Sequence, residues 1–529
     1  MFRRRLKLVG KILLAFILLF VVFLLIERFR GQIGLASYQR ELIAQGEKLS
    51  PQDFTANVSD ADNGAPAAVA AIGRLKSGAV LPNSPPPRMR PLSSGRAMVG
   101  FREPDWIETS AYRHGEWVNE TVTNHWEQLV ADLKTNESTL IEICAALNKP
   151  VLNNNLDYAQ GPKLLIPHLA KTKSLSAWLG GVIQLALREG RKQDAITNLR
   201  CQIRLPRLMA EDEVLISELV RVAIGAIART DTWEALQSND WNDEELTTVQ
   251  DAWQTQHFAE AMSRSLEWEL VSLKLTHEQL RASNEETYQL FDVFANAATF
   301  FSSILSGDEL EGSQEGGLWE RIPFNEELAE FWRRQIYCRV WRFAWSHQAE
   351  LHDLKVVHQA LGLMREAAAA GSCDSIKGKL VTFEEAEDRQ SFYNRVRFSG
   401  FGAAGTYSKA IVKAMRAETE RSLCLTAIAL KRYSLRDGKM PGTLDALVPD
   451  FLASVPVDYM DGKPVKYHPS EDGSVVLYSV GEDGRDDGGD LTPPAGSKSK
   501  DMWRRRDYVW PAPALPEEIE AYRKESAKP

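Results

Sequence analysis

The chain has few cysteines: five in 529 residues, Cys144, Cys201, Cys338, Cys373 and Cys424, with no CxxC pair among them. That spacing excludes a dense disulfide framework and a zinc ribbon, and the five thiols are expected to be buried and structural. Positive charge is also short. Sixty-three Lys and Arg stand against 72 Asp and Glu, a net charge of −9, which argues against a nucleic-acid surface, since that needs clustered Lys and Arg. Between Pro206 and Pro441 there is one proline, Pro323. So long a stretch without breakers, carrying apolar residues at a 3.6 period, is helical, because strands need frequent turns. No HExxH, GxSxG or Walker A stretch occurs, which removes the motif-bearing hydrolase and nucleotide-binding classes.

One long apolar run is present. Leu8 to Ile26 is apolar apart from Lys11, and its nineteen residues rise about 28 Å as a helix, enough to cross a bilayer. Arg3, Arg4, Arg5, Lys7 and Lys11 precede or enter it, and Glu27, Arg28 and Arg30 follow. The positive-inside bias places Met1 in the cytoplasm and the bulk of the chain outside. Charges occupy the place where a signal-peptide cleavage site belongs, so the segment is read as a retained anchor. Residues 8–26 make the lipid bilayer the first expected partner.

Leu35 to Glu47 reads as a separate short amphipathic helix. Thr55 to Asp105, with Pro82, Pro85, Pro86, Pro87 and Pro91, reads as an extended spacer or surface wrap. From Trp106 helices are expected to take over. Trp126–Leu147 is one or two of them. Ser174–Arg204 is a hairpin broken at Gly190, and Asn242 with Glu245 forms a capping box. Asn284–Leu305, the aromatic-rich Asn325–Trp345, Leu351–Ala370 and a long helix from about Thr406 to Arg436 complete an irregular array, solenoid-like or bundle-like.

Three groupings could carry chemistry. Gly400-Phe401-Gly402-Ala403-Ala404-Gly405 spells the dinucleotide fingerprint, with Glu420 near the acidic position. The fingerprint needs a strand before it and a βαβ unit around it; here a helix is expected to continue through Glu420, so the glycines read as a packing hinge. His347, His352 and His358 are five and six apart, off the spacing of one helical face. Asp483, Asp486, Asp487 and Asp490 crowd a Gly-rich loop, and short acidic Gly loops suit calcium. These four are the candidate metal ligands and calcium the candidate cofactor; no catalytic residue is assigned.

The C-terminal end changes period. Asp437-Gly438 stops the long helix, Leu444, Leu447 and Val448 suggest a short helix, and Val465–Tyr467 and Val475–Val480 alternate like strands around Asp472-Gly473. Ala429-Leu430-Lys431-Arg432-Tyr433, Pro441, Leu444, Ala446-Leu447, Asp461-Gly462-Lys463-Pro464 and Tyr478-Ser479-Val480-Gly481-Glu482-Asp483-Gly484 together resemble the C-terminal half of type II secretion major pseudopilins. The resemblance covers roughly 70 residues and implies a helix-plus-sheet module. It also implies a calcium-holding acidic loop, a role that Asp483 would inherit. The prepilin-peptidase motif is absent before the apolar run, so a borrowed module is read rather than a pilus subunit.

The expected architecture is mainly α: a basic tail (1–11), a transmembrane helix (12–30), a juxtamembrane and Pro-rich segment (31–105), the helical array (106–400), the long helix (401–437), a small α+β module with antiparallel strands (438–510) and a tail (511–529). The expected role is a non-enzymatic scaffold, single-pass in a bacterial inner membrane and periplasm-facing, with an envelope protein as partner. The alternatives are an accessory of a secretion or pilus-like machine and an envelope enzyme.

Overall fold

A computed structural model describes residues 2–54, 59, 61–92, 95–113, 116–289, 330–398, 404–469, 475–492 and 501–526. The protein is mainly helical. The principal helices are α1 (Phe2–Ala44), α2 (Ala65–Ile72), α3 (Trp126–Leu147), α4 (His168–Arg188), α5 (Lys192–Arg204), α6 (Leu215–Leu236), α7 (Asp243–Gln254), α8 (Phe258–Ala282), α9 (Ser346–Ala370), α10 (Lys377–Asp388), α11 (Phe392–Phe398), α12 (Ala404–Asp437) and α13 (Pro516–Ser526). Two π-helical turns, Trp332–Tyr337 and Trp341–Trp345, lead into α9. The expected helix Asn284–Leu305 is described only as far as Gln289; the loop Gly307–Gly317, Gly400–Ala403 and the Asp472-Gly473 turn lie outside the described residues.

The anchor and the juxtamembrane helix are not separate. α1 runs 43 residues without a break, from the basic tail into the core. Close packing explains the continuity. A Cβ at Gly31 would stand 2.8 Å from Gln348 Cγ, and one at Gly34 would stand 3.0 Å from a Leu351 methyl, so only glycine lets α1 lie against α9. Farther along, Tyr38 meets His358 Nδ1 at 2.9 Å and Arg365 pairs with Glu47. Contacts that advance together in both helices mean that α1 and α9 run parallel.

The α4–α5 hairpin, the capping box of α7 and the end of α12 at Asp437 follow the sequence reading. At Gly190 the backbone takes φ +69°, a conformation that costs glycine nothing and lets α5 fold back on α4. Asn242 accepts from Glu245 N and Glu245 accepts from Asn242 N, both at 2.9 Å.

Three expectations are corrected. Helices do not take over at Trp106: β3 (Trp106–Arg113) and β4 (Glu116–Thr123) form an antiparallel hairpin first. The Pro-rich segment is not free of structure, since it contains α2 and two short strands, β1 (Arg90–Pro91) and β2 (Arg96–Met98). The five cysteines are not all thiols: Cys144 of α3 and Cys201 of α5 form a disulfide with Cα atoms 5.4 Å apart, a normal bridging separation. Cys338, Cys373 and Cys424 are thiols.

The Pro-rich segment is a belt, held by carboxylates that helices α3 and α6 turn inward. Burial opposes ionisation of Asp132, yet the N–H groups of Ala79, Val80 and Leu81 all donate to it and hold its carboxyl below the usual range. On α6, Asp231 faces Arg88 at 3.6 Å and accepts from Gln202, and Glu234 accepts from Gly100 N at 2.8 Å. Burial pushes Asp231 up to about 6 and Glu234 up to about 8. A carboxyl held above its unfolded value of roughly 4 binds its proton more tightly when folded, so it stabilises the fold at low pH and loses that contribution as pH rises through the folded value. The melting temperature is therefore expected to fall between pH 5 and pH 8. Glu234→Gln should flatten the upper part of that slope; a parallel slope in the variant would reject the assignment.

The C-terminal strands β5 (Lys466–Pro469), β6 (Val475–Ser479) and β7 (Tyr508–Trp510) form an antiparallel sheet in the order β5-β6-β7. The end of the chain is not a loose tail. β8 (Ala512–Pro513) pairs in parallel with β2, and the Trp233 indole N–H donates to Pro511 O at 2.7 Å. One continuous core joins Leu35 and Leu42 of α1, α4 to α9, α12 and the module through Leu447, Phe451, Leu477 and Tyr508.

Candidate functional site

The acidic loop lies where β6 delivers the chain, and an aspartate distant in sequence organises it. Asp507, just before β7, accepts from Gly489 N at 2.7 Å and Asp490 N at 3.1 Å. The four candidate ligands then point apart. Asp486 accepts from the Tyr478 hydroxyl and Gly488 N, with Lys466 at 3.8 Å. Asp490 accepts from Thr492 and pairs with Arg506 at 3.1 Å. Asp483 turns back onto Arg485 N, and the Asp487 N–H reaches toward Asp507 at 3.5 Å. Among the described residues no group of three or more His, Cys, Asp or Glu side chains is placed to hold a metal ion. The structure thus brings the four aspartates into one loop without gathering their carboxylates into a calcium cage, which needs six to eight converging oxygens.

Beneath the loop sits a keystone that the sequence did not mark. Asp458 is fully buried. It accepts from Thr419 of α12, Met460 N, Ser479 Oγ and Val480 N at 2.9–3.2 Å. Burial raises its carboxyl above the usual value while these donors oppose the shift. One side chain thereby fixes the long helix, the 456–465 turn and β6 to one another. Beside it, a cavity of about 240 Å³ opens between α10, α12 and the loop, lined by Cys373, Lys377, Leu380, Val412, Met460 and Glu482. Its walls are mostly apolar. Lys377 Nζ is taken up by the carbonyls of Glu482 and Asp483, and Arg416 pairs with Glu482. Burial pushes the Cys373 thiol up to about 11, so it is protonated at neutral pH and is a poor nucleophile.

The remaining groupings are structural in their contacts. His352 meets Glu387 at 3.1 Å, whereas His358 meets Tyr38. His168 is sealed against Asp212 at 2.8 Å and His277 against Asp353 at 2.7 Å, both buried. The segment before the Gly400–Gly405 match is helix α11 rather than a strand, and Glu420 lies within α12, where it accepts from Tyr508 and faces Arg229. At the opposite end of the molecule, the apolar stretch of α1 is unburied, and the helix Leu8–Ala44 is long and apolar enough to cross a membrane. Comparison with known protein families, curated proteins and solved structures finds no match to this chain.

Proposed function

We propose that the chain is a single-pass protein of a bacterial inner membrane, with its helical body outside the cytoplasm acting as a non-enzymatic scaffold for an envelope partner. The observation that carries this reading is α1: its apolar stretch is unburied and preceded by basic residues, and the helix continues without a break into the core. The Cys144–Cys201 bridge supports the outer side, because disulfides persist in oxidising compartments. The scaffold reading is supported by the buried carboxylates Asp132, Asp231, Glu234 and Asp458, which hold neighbouring segments of the fold, and by the helical array, an architecture that commonly presents binding surface. A second reading, an accessory of a secretion or pilus-like machine, is favoured by the order of long helix, short helical turn and antiparallel sheet at the C-terminus.

Two measurements test the proposal. A C-terminal reporter active only outside the cytoplasm should be active on the full-length chain; activity of a cytoplasm-only reporter would overturn the orientation. Crosslinking followed by pull-down of the solubilised full-length protein should return a stoichiometric envelope protein. Recovery of the chain alone would overturn the scaffold role, and recovery of secretion components would favour the second reading.

A further inference from the structure

We infer that the protein touches the bilayer a second time, through the aromatic face of the π-helical segment before α9 together with the tip of α11. The inference rests on α1 being a membrane anchor. The level of the membrane boundary on α1 is marked by Glu27, which ends the apolar run and is nevertheless buried. Gln348 Nε2 and the Tyr393 hydroxyl donate to Glu27 Oε2 at 3.0 and 2.9 Å, and Arg30 pairs with its other oxygen at 2.8 Å. One residue on, Arg28 donates to Phe343 O at 3.1 Å and its guanidinium lies 4.9 Å from the Phe343 ring. Phe343 and Tyr393 are therefore at the height where the anchor leaves the apolar layer.

Because α1 and α9 run parallel, going back from Phe343 toward Trp332 leads toward the bilayer face of the body. The exposed side chains met on the way mix apolar and basic residues, Arg334 (paired with Glu285) and Arg339 standing among the aromatics. Phe331 is 56% exposed, Trp332 53%, Ile336 36% and Phe343 41%, and Phe392 beside Tyr393 is 73% exposed. Their other face is spoken for: Trp341 and Cys338 are fully buried. Several exposed aromatics on one short segment mark an interaction surface. Trp, Tyr and Phe at this height match the aromatic belt of membrane–water interfaces, where an apolar ring and a polar edge are both satisfied. Exposed Arg334 and Arg339 are interspersed with these rings and Arg30 stands on α1; their charge complements anionic headgroups. Continuity with the anchor selects lipid as the occupant, since any other partner here would have to displace the bilayer that α1 itself enters.

The test is photocrosslinking of the full-length chain in liposomes of phosphatidylethanolamine and phosphatidylglycerol. p-Benzoylphenylalanine is placed singly at Leu18, Trp332, Phe343 and Leu435; the last is exposed and lies near the far end of α12. Lipid adducts are expected at Leu18, Trp332 and Phe343 and not at Leu435. Adducts at Leu18 with none at Trp332 and Phe343 would overturn this inference and leave the anchor standing. Absence of adducts at Leu18 would overturn the anchor itself. Equal yields at Leu435 would overturn the inference as well, since labelling would then be indifferent to position.

Discussion

Replacing Asp458 by alanine is expected to destabilise the full-length protein by about 3–5 kcal/mol, the cost of orphaning several buried donors at once. The carboxylate receives the Met460 and Val480 N–H groups and the Thr419 and Ser479 hydroxyls. Thr419 Oγ1 in turn accepts from Tyr459 N at 3.0 Å, so the loss propagates from the turn into α12. Removing the side chain leaves two buried backbone donors and two hydroxyls without their common acceptor. Asp458→Asn keeps the volume and one acceptor, and should lose less. Denaturant unfolding in detergent micelles, followed by far-ultraviolet circular dichroism, reads both variants. An alanine variant within about 0.5 kcal/mol of the parent, the range of an ordinary surface change, would show that the junction is not held at this residue.

Asp458 also shows where the sequence stops being readable. The parts governed by local chemistry were legible: the apolar run of α1, the break at Gly190, the Asn242–Glu245 box, the stop at Gly438 and the two alternating segments that became β5 and β6. Each depends on residues within a few positions of one another. Asp458 looks like any turn aspartate until Thr419 and Ser479, 39 and 21 residues away, converge on it. Asp507 is likewise 17 and 18 residues from the N–H groups it gathers, so the acidic loop drew attention to its own four aspartates rather than to the one that shapes it. Asp132, Asp231 and Glu234 sit on helices where a carboxylate ordinarily faces water; that they clamp the Pro-rich belt is a tertiary fact. The β3–β4 hairpin is different. Trp106–Thr123 is rich in Thr, Val, Tyr and Trp around His114-Gly115, and that β-propensity was a usable signal.

The Cys144–Cys201 bridge carries the second large effect. It joins α3 to α5 across 57 residues of sequence, and closing a loop of that length removes chain entropy worth about 4 kcal/mol from the unfolded state. Spacing alone could not reveal it, because the pairing depends on α4 and α5 folding back to bring Cys201 beside α3. Cys144→Ser should therefore lower stability by about that amount. A reductant should lower the parent to the same level while leaving the variant unchanged, since Cys338, Cys373 and Cys424 are unbridged. The same bond reports on location. Protein extracted from membranes and denatured without reductant should titrate three thiols of its five cysteines, whereas protein made in a reducing cytosol should titrate all five. Five reactive thiols in the membrane-extracted protein would reject the bridge and, with it, the support it gives to an extracytoplasmic body.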